Sequence, residues 1–134
     1  MATYLISSPL EVVYATSKKK GDLVFRLNLN VYRNTHRFTL HKAKLAYAQI
    51  MSSQVHSLPN LNQIEIKYVI FTGSNRKVDI MNICSIVDKF FCDVLTEHSK
   101  IVDDNYKYVP KCSFEFGGVD RDNPRVDIHI KEIT

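Results

Sequence analysis

The clearest pattern in the chain is an apolar face that repeats at helical spacing in its second half. Eight residues keep one side of a helix apolar for four turns: Ile80, Ile83, Cys84, Val87, Phe90, Phe91, Val94 and Leu95. Asp79 stands directly before this run, where a carboxylate caps the start of a helix. The pattern predicts a helix over residues 80–95 that packs on a sheet.

A shorter helical pattern lies in the first half of the chain. Its members recur at steps of three and four residues: Ala43, Ala46, Tyr47, Ile50 and Met51. The spacing predicts a helix that ends before Pro59. Residues 30–39, which precede it, are mostly polar, and we expect them to form a loop.

Segments rich in β-forming residues surround these helices. Residues 10–15 and 23–29 flank a turn at residues 18–22, which predicts a hairpin. Gly21 in that turn can adopt the positive φ that such turns need. Residues 64–71 predict a further strand.

The C-terminal part of the chain predicts two more strands, residues 106–116 and 125–130, which we expect to close the fold as a hairpin. The order of elements predicts an α+β fold, with a mixed sheet, two helices packed on one face, and β-hairpins at the N- and C-terminal ends. The length of 134 residues predicts one domain spanning residues 1–134.

Composition and motifs indicate where this domain is located and which partners and cofactors are unsupported. No apolar stretch reaches the ~18 residues of a membrane span, and the first ten residues lack the basic start of a signal peptide. Three cysteines without a C-x-x-C pair do not make a disulfide framework. We therefore expect a cytoplasmic protein without a membrane partner. It carries neither a Walker loop nor G-x-G-x-x-G, so a nucleotide cofactor has no support.

The charge is unevenly distributed along the chain. Residues 1–77 hold 11 Lys and Arg against 3 Asp and Glu, a balance of +8, whereas residues 78–134 hold 7 against 11, a balance of −4. A concentrated basic half suggests a polyanionic partner, because binding nucleic acid releases counterions. The alternative is an ordinary solvated basic surface.

Three carboxylates could meet at one point. Asp79, Asp103 and Asp104 each lie at a terminus of an element beside the same helix. The helix spans about 20 Å and the eight residues 96–103 reach about 26 Å, so convergence requires an extended connection. Such a cluster binds Mg²⁺ or Mn²⁺. The alternative is a helix cap at Asp79 and a turn at Asp103 and Asp104, which the residues alone favour.

Several segments resemble the RusA-like Holliday-junction resolvases of phages and prophages. They are RKVDIMN at residues 76–82, DKFFCDVL at 88–95 and IVDDN at 101–105. NLNVYRNTH at 28–36, followed by KAK at 42–44, is similar to the family's N-terminal loop and first helix. The resemblance covers roughly residues 23–131. It implies a metal-dependent endonuclease that resolves branched DNA by paired phosphodiester hydrolysis as a homodimer, in the cytoplasm of a bacterial or phage-infected cell.

The resemblance also implies roles for individual residues. It implies catalytic roles for Asp79, Asp104 and Lys89; Mg²⁺ or Mn²⁺ ligation by Asp79, Asp103, Asp104 and Asn82; and phosphate contacts by Arg33, Arg37, Arg76 and Lys77.

One position departs from the family pattern. Met81 stands where many members carry a second aspartate, and Ser85 is the other candidate for that position. Neither side chain replaces a carboxylate on a hard divalent ion. The first alternative to an endonuclease is therefore a protein of the same fold that binds junctions without cutting them. The second is a small interaction protein whose basic half meets an acidic protein surface.

Overall fold

Alternating apolar residues place β4 (Ile64–Thr72) at the centre of a mixed sheet. In the computed structural model, which describes residues 2–133, the strand order is β1 (Thr3–Ser8), β6 (Arg125–Glu132), β4 and β5 (Lys111–Val119). β5 runs parallel to β4, and the other neighbouring pairs are antiparallel. The sheet is thus mixed, as predicted.

The helices cover one face of this sheet. α2 (Arg37–His56) packs on α3 (Ile80–Glu97), and α3 contacts β4 and β5. Ile64, Ile66 and Tyr68 of β4 are fully buried on this side, whereas the residues between them face the other side of the sheet. The predicted α+β architecture is therefore confirmed.

The crossover from β4 through α3 to β5 positions the candidate site. Parallel strands need such a crossover, so α3 runs back along the sheet, beginning where β4 ends. At its far end, the Leu61 N–H donates to Lys100 O at 2.7 Å, and the Ile64 N–H donates to Tyr108 O at 2.9 Å. The chain that follows α3 therefore lies beside the start of β4.

The N-terminal hairpin forms a separate two-stranded sheet, β2 (Glu11–Ser17) and β3 (Gly21–Arg26), which confirms the predicted hairpin. It packs on α2, and the ring of Phe25 stacks on that of Phe90 in α3 with centroids 5.6 Å apart. Stacked aromatic rings of this kind hold the hairpin against the helices.

The sequence-based predictions differ from the structure in three regions. β1 was not predicted, and the strand expected at residues 106–116 is observed at Lys111–Val119. Residues 30–39 are not a loop, because α1 (Leu29–Asn34) and the start of α2 lie there, capped by Asn28 and His36. The predicted closing hairpin is not formed, because β4 lies between β5 and β6. Within residues 2–133, none of the helices combines the length and apolar character needed to cross a membrane.

Candidate nucleic-acid interface

A cleft of about 560 Å³ lies between the hairpin, α1 and the first turn of α3, and we call it the hairpin–helix cleft. Its polar and charged lining consists of Glu11, Arg26, Asn28, Asn30, Arg76, Lys77, Asp79 and Asn82. Four of the residues singled out from the sequence therefore meet here: Arg76, Lys77, Asp79 and Asn82.

Asp79 caps the start of α3, as its position in the sequence predicts. Its Oδ1 accepts a hydrogen bond of 3.0 Å from the Met81 N–H, and the Asn82 N–H donates to the backbone oxygen of Asp79 at 3.0 Å. The side chain is exposed, and Oδ2 has no hydrogen-bond partner within residues 2–133. One carboxylate oxygen is therefore available to the cleft.

Positive charge prevails in the cleft. Arg26, Arg76 and Lys77 bring three cations against the carboxylates of Glu11 and Asp79. All three cations are exposed. Arg26 was not predicted from the sequence, because its position beside Arg76 and Asp79 depends on how the hairpin packs near α3. The cleft can therefore bind an anionic group from solvent.

The other two predicted phosphate contacts lie outside the lining of this cleft. Arg33 is exposed on α1, and Arg37 is the first residue of α2. The Arg37 guanidinium lies 5.1 Å from the centroid of the Phe38 ring, a cation–π contact. Neither Arg33 nor Arg37 contacts Asp79 in the structure.

Asp103 and Asp104 form a turn after α3. Asp103 accepts hydrogen bonds of 2.8 Å from the Asp104 N–H and from Asn105 Nδ2, and these lower the pKa of Asp103. Partial burial, followed by the neighbouring Asp103 and by Asp93, raises the pKa of Asp104. Asp103 and Asp104 thus form the turn that the sequence analysis gave as the alternative to a metal cluster.

The length of α3 separates these carboxylates from Asp79. Asp104 is a neighbour of Asp93, which lies fourteen residues from Asp79 along the helix, or about 21 Å. The connection after the helix curls, with Ser99 at φ 56° and the Lys100 N–H donating to Leu95 O at 2.9 Å. The extended return that convergence requires is therefore absent, and the structure does not bring the three acids together.

The predicted metal ligands therefore lie in two separate places in this structure. In the part of the chain that the structure describes, no three His, Cys, Asp or Glu side chains are grouped so as to hold a metal ion. Asp79 and Asn82 remain together in the cleft, while Asp103 and Asp104 lie near the other end of α3.

Three further residues of α3 were also singled out from the sequence, and the structure places each of them. Lys89 is exposed, ten residues and about 15 Å along the helix from Asp79, so it lies outside the cleft. Met81 is 51% exposed rather than part of the core. The Ser85 hydroxyl oxygen is buried without a hydrogen-bond partner among residues 2–133. Neither Met81 nor Ser85 adds a carboxylate to the cleft.

The surroundings of the cysteines disfavour the thiolate form. Cys84, which belongs to the predicted apolar face, and Cys92 are both buried on α3. Burial raises the pKa of Cys84 to about 11 and that of the more exposed Cys112 to about 12, so both are thiols near neutral pH. Cys92 Sγ donates to Asp88 Oδ1 at 3.3 Å.

The fold and the cleft thus define an α+β domain with a basic cleft where the central strand passes into a helix. Comparison with protein-family models and with curated proteins finds no match for the chain.

Proposed function

We propose that the protein binds branched DNA, with the hairpin–helix cleft holding the phosphate backbone beside the branch. The meeting of Arg26, Arg76 and Lys77 at the first turn of α3 carries this proposal. Side chains of this kind contact phosphates without reading sequence, so they supply affinity for DNA in general. The amides of Asn28 and Asn82 add donors on the same surface.

Binding is better supported than cleavage because only one predicted carboxylate lies in the cleft. With Asp103 and Asp104 at the other end of α3, a phosphate held by Arg76 and Lys77 has Asp79 as its only neighbouring predicted acid. A charged cleft without a full ligand set is suited to holding DNA.

Mg²⁺-dependent cleavage of a junction by a homodimer is the second candidate function, and one observation favours it. Asp79 Oδ2 has no partner among residues 2–133, and Asn82 lies in the same cleft. Mg²⁺ is often held by one or two carboxylates together with substrate phosphates. In that case Asp79 and Asn82 would hold the ion, which would neutralise phosphate charge, while Arg76 and Lys77 orient the backbone.

The binding proposal is tested with a labelled four-way junction and a linear duplex of equal length, by fluorescence anisotropy in buffer with EDTA. We expect the parent to prefer the junction. Arg76→Gln/Lys77→Gln should weaken binding by about tenfold or more and reduce the salt slope by about 2. Lys18→Gln/Lys19→Gln, in the exposed hairpin turn, removes the same charge and serves as the control. Equal losses in both variants, or equal affinity of the parent for both DNAs, contradict the proposal.

Cleavage is tested on the same junction with Mg²⁺ or Mn²⁺. If the chain cuts, Asp79→Asn should abolish cutting while Asp104→Asn cuts like the parent. Asp79→Asn keeps the helix cap, because asparagine caps as well as aspartate does, and should bind the junction at least as tightly. A parent that binds without cutting leaves binding alone as the function.

A further inference from the structure

The face of the four-stranded sheet opposite the helices carries a second basic surface. A pocket of about 480 Å³ lies there, which we call the open-face pocket. Its charged and imidazole side chains are Glu65, Lys67, Lys111, His129 and Lys131. They come from three different strands, so this surface exists only once the sheet is assembled.

Strand register sets the spacing of these charges. Glu65 on β4 pairs with Lys131 on β6 and with Lys111 on β5, so two lysines flank one carboxylate. Neighbouring strands are about 4.8 Å apart, which places the backbones of the two lysines about 10 Å apart. Lys67 pairs with His129 in the next outward-facing row.

The pocket favours an anionic occupant. Three lysines stand against the single carboxylate of Glu65, and Lys111 and Lys131 are exposed. Lys67 also reaches Glu115 outside the pocket, with Nζ 3.8 Å from Oε1, and both side chains are about half exposed. Such exposed pairs are weak and leave Lys67 able to turn toward another anion.

The exposed lysines suit a DNA backbone as the occupant. Lys111 and Lys131 place two cations on strands whose backbones lie about 10 Å apart, so the two side chains can contact different phosphates of one strand. Lysine binds phosphate as a point charge and tolerates variation in this spacing.

The open-face pocket and the hairpin–helix cleft lie on opposite sides and at opposite ends of the sheet. Glu65 is at the start of β4, whereas Arg76 and Lys77 follow its end, and the seven residues from Glu65 to Thr72 span about 23 Å. A linear duplex is stiff, with a persistence length of about 150 base pairs, and does not wrap around a domain of this size cheaply.

We propose that the open-face pocket is a second contact surface for the DNA backbone, and that only DNA with two diverging arms engages both surfaces at once. This inference rests on the proposed binding of branched DNA and explains its selectivity. Two linked contacts raise affinity through effective concentration, so a junction gains an advantage that a linear duplex does not share.

The test compares junction and duplex binding by Lys111→Gln/Lys131→Gln, again with Lys18→Gln/Lys19→Gln as the control of equal charge. We expect the open-face variant to lose about tenfold or more in junction affinity and less than about threefold in duplex affinity, so that the preference for the junction falls. Glu65→Gln, which removes the central carboxylate, should raise junction affinity. Thermal unfolding of each variant verifies that the sheet is intact.

Three results overturn the inference. They are parental junction affinity in the Lys111→Gln/Lys131→Gln variant, equal losses on junction and duplex, and binding of polyglutamate that is tighter than binding of the junction and is lost in the Lys111→Gln/Lys131→Gln variant. The last result would assign the pocket to an acidic protein. A parent that binds no DNA overturns the proposed function as well. A parent that depends on Arg76 and Lys77 but not on Lys111 and Lys131 overturns this inference alone.

Discussion

The hydroxyl of Tyr68 donates a hydrogen bond of 2.5 Å to Asp88 Oδ1 and so joins the centre of β4 to the middle of α3. Tyr68 is fully buried, and burial, followed by the nearby Cys92 and Asp88, raises the pKa of Tyr68 well above its ordinary value. The hydroxyl therefore stays protonated and remains a donor. The bond holds α3, and with it Asp79 at the start of the helix, against the sheet.

Tyr68→Phe should lower the free energy of unfolding by about 1.5–3 kcal/mol, because it removes a hydrogen bond to a carboxylate without creating a large cavity. Urea unfolding near neutral pH measures the change. Tyr106→Phe is the matched control, since Tyr106 is 86% exposed and should change stability by less than about 0.5 kcal/mol. Similar losses in the two variants would show that the Tyr68–Asp88 bond contributes little.

Gly117→Ala should destabilise the edge of the sheet. A Cβ at this position would lie 2.6 Å from Phe71 Cζ and 2.6 Å from Val69 Cγ1, so β4 side chains would have to move. We expect a loss of about 1–3 kcal/mol by thermal or urea unfolding. At Gly73 the nearest atom, Pro124 Cγ, is 3.4 Å away, so Gly73→Ala should cost clearly less. The reverse order of the two effects would contradict the packing described for β5.

The stability contributed by Asp104 should depend on pH. Partial burial and the neighbouring Asp103 raise the pKa of Asp104 in the folded chain, so folding favours its protonated form. That contribution is present below the ordinary aspartate pKa and is lost as the pH rises through the folded pKa. The melting temperature of Asp104→Asn relative to the parent should therefore be higher at about pH 7 than at about pH 3. An equal difference in melting temperature between variant and parent at both pH values would show that folding does not raise the pKa of Asp104.

Met81→Asp tests the position at which the chain departs from the family pattern. Because Met81 is 51% exposed in the first turn of α3, an aspartate there should be tolerated, and its charge is favourable at a helix N-terminus. We expect a change of less than about 1 kcal/mol in unfolding free energy. Junction binding in EDTA should weaken, because a further negative charge is added to the first turn of α3, close to Asp79.

If the chain cleaves DNA, Met81→Asp should also lower the Mg²⁺ concentration that gives half-maximal cleavage. Met81→Asn is the control, because asparagine has the shape of aspartate without its charge. It separates the effect of the carboxylate from the effect of losing the methionine side chain. Unchanged DNA affinity and an unchanged metal requirement in Met81→Asp would place position 81 outside the site.

Local patterns were sufficient for two of the three elements that surround the site, the hairpin and α3, whereas α1 was predicted as a loop. The apolar spacing of residues 80–95 and the carboxylate before it predict α3 and its cap at Asp79, because helix periodicity and capping depend on near neighbours in the chain. The same holds for the first hairpin, whose turn residues lie between its strands. Arg76 and Lys77, which the resemblance implies as phosphate contacts, lie in the cleft because they adjoin that cap.

Which distant residues meet depends on the tertiary structure. β4 rather than β6 pairs with β5, and α3 crosses between them, so the chain after α3 stays at the far end of the helix and keeps Asp103 and Asp104 away from Asp79. Strand pairing also assembled the open-face pocket from Glu65, Lys111 and Lys131. Total charge follows directly from the residues present, and most of the local conformation follows from adjacent residues. The placement of those charges followed only from strand order and crossover direction, which depend on packing across the whole domain.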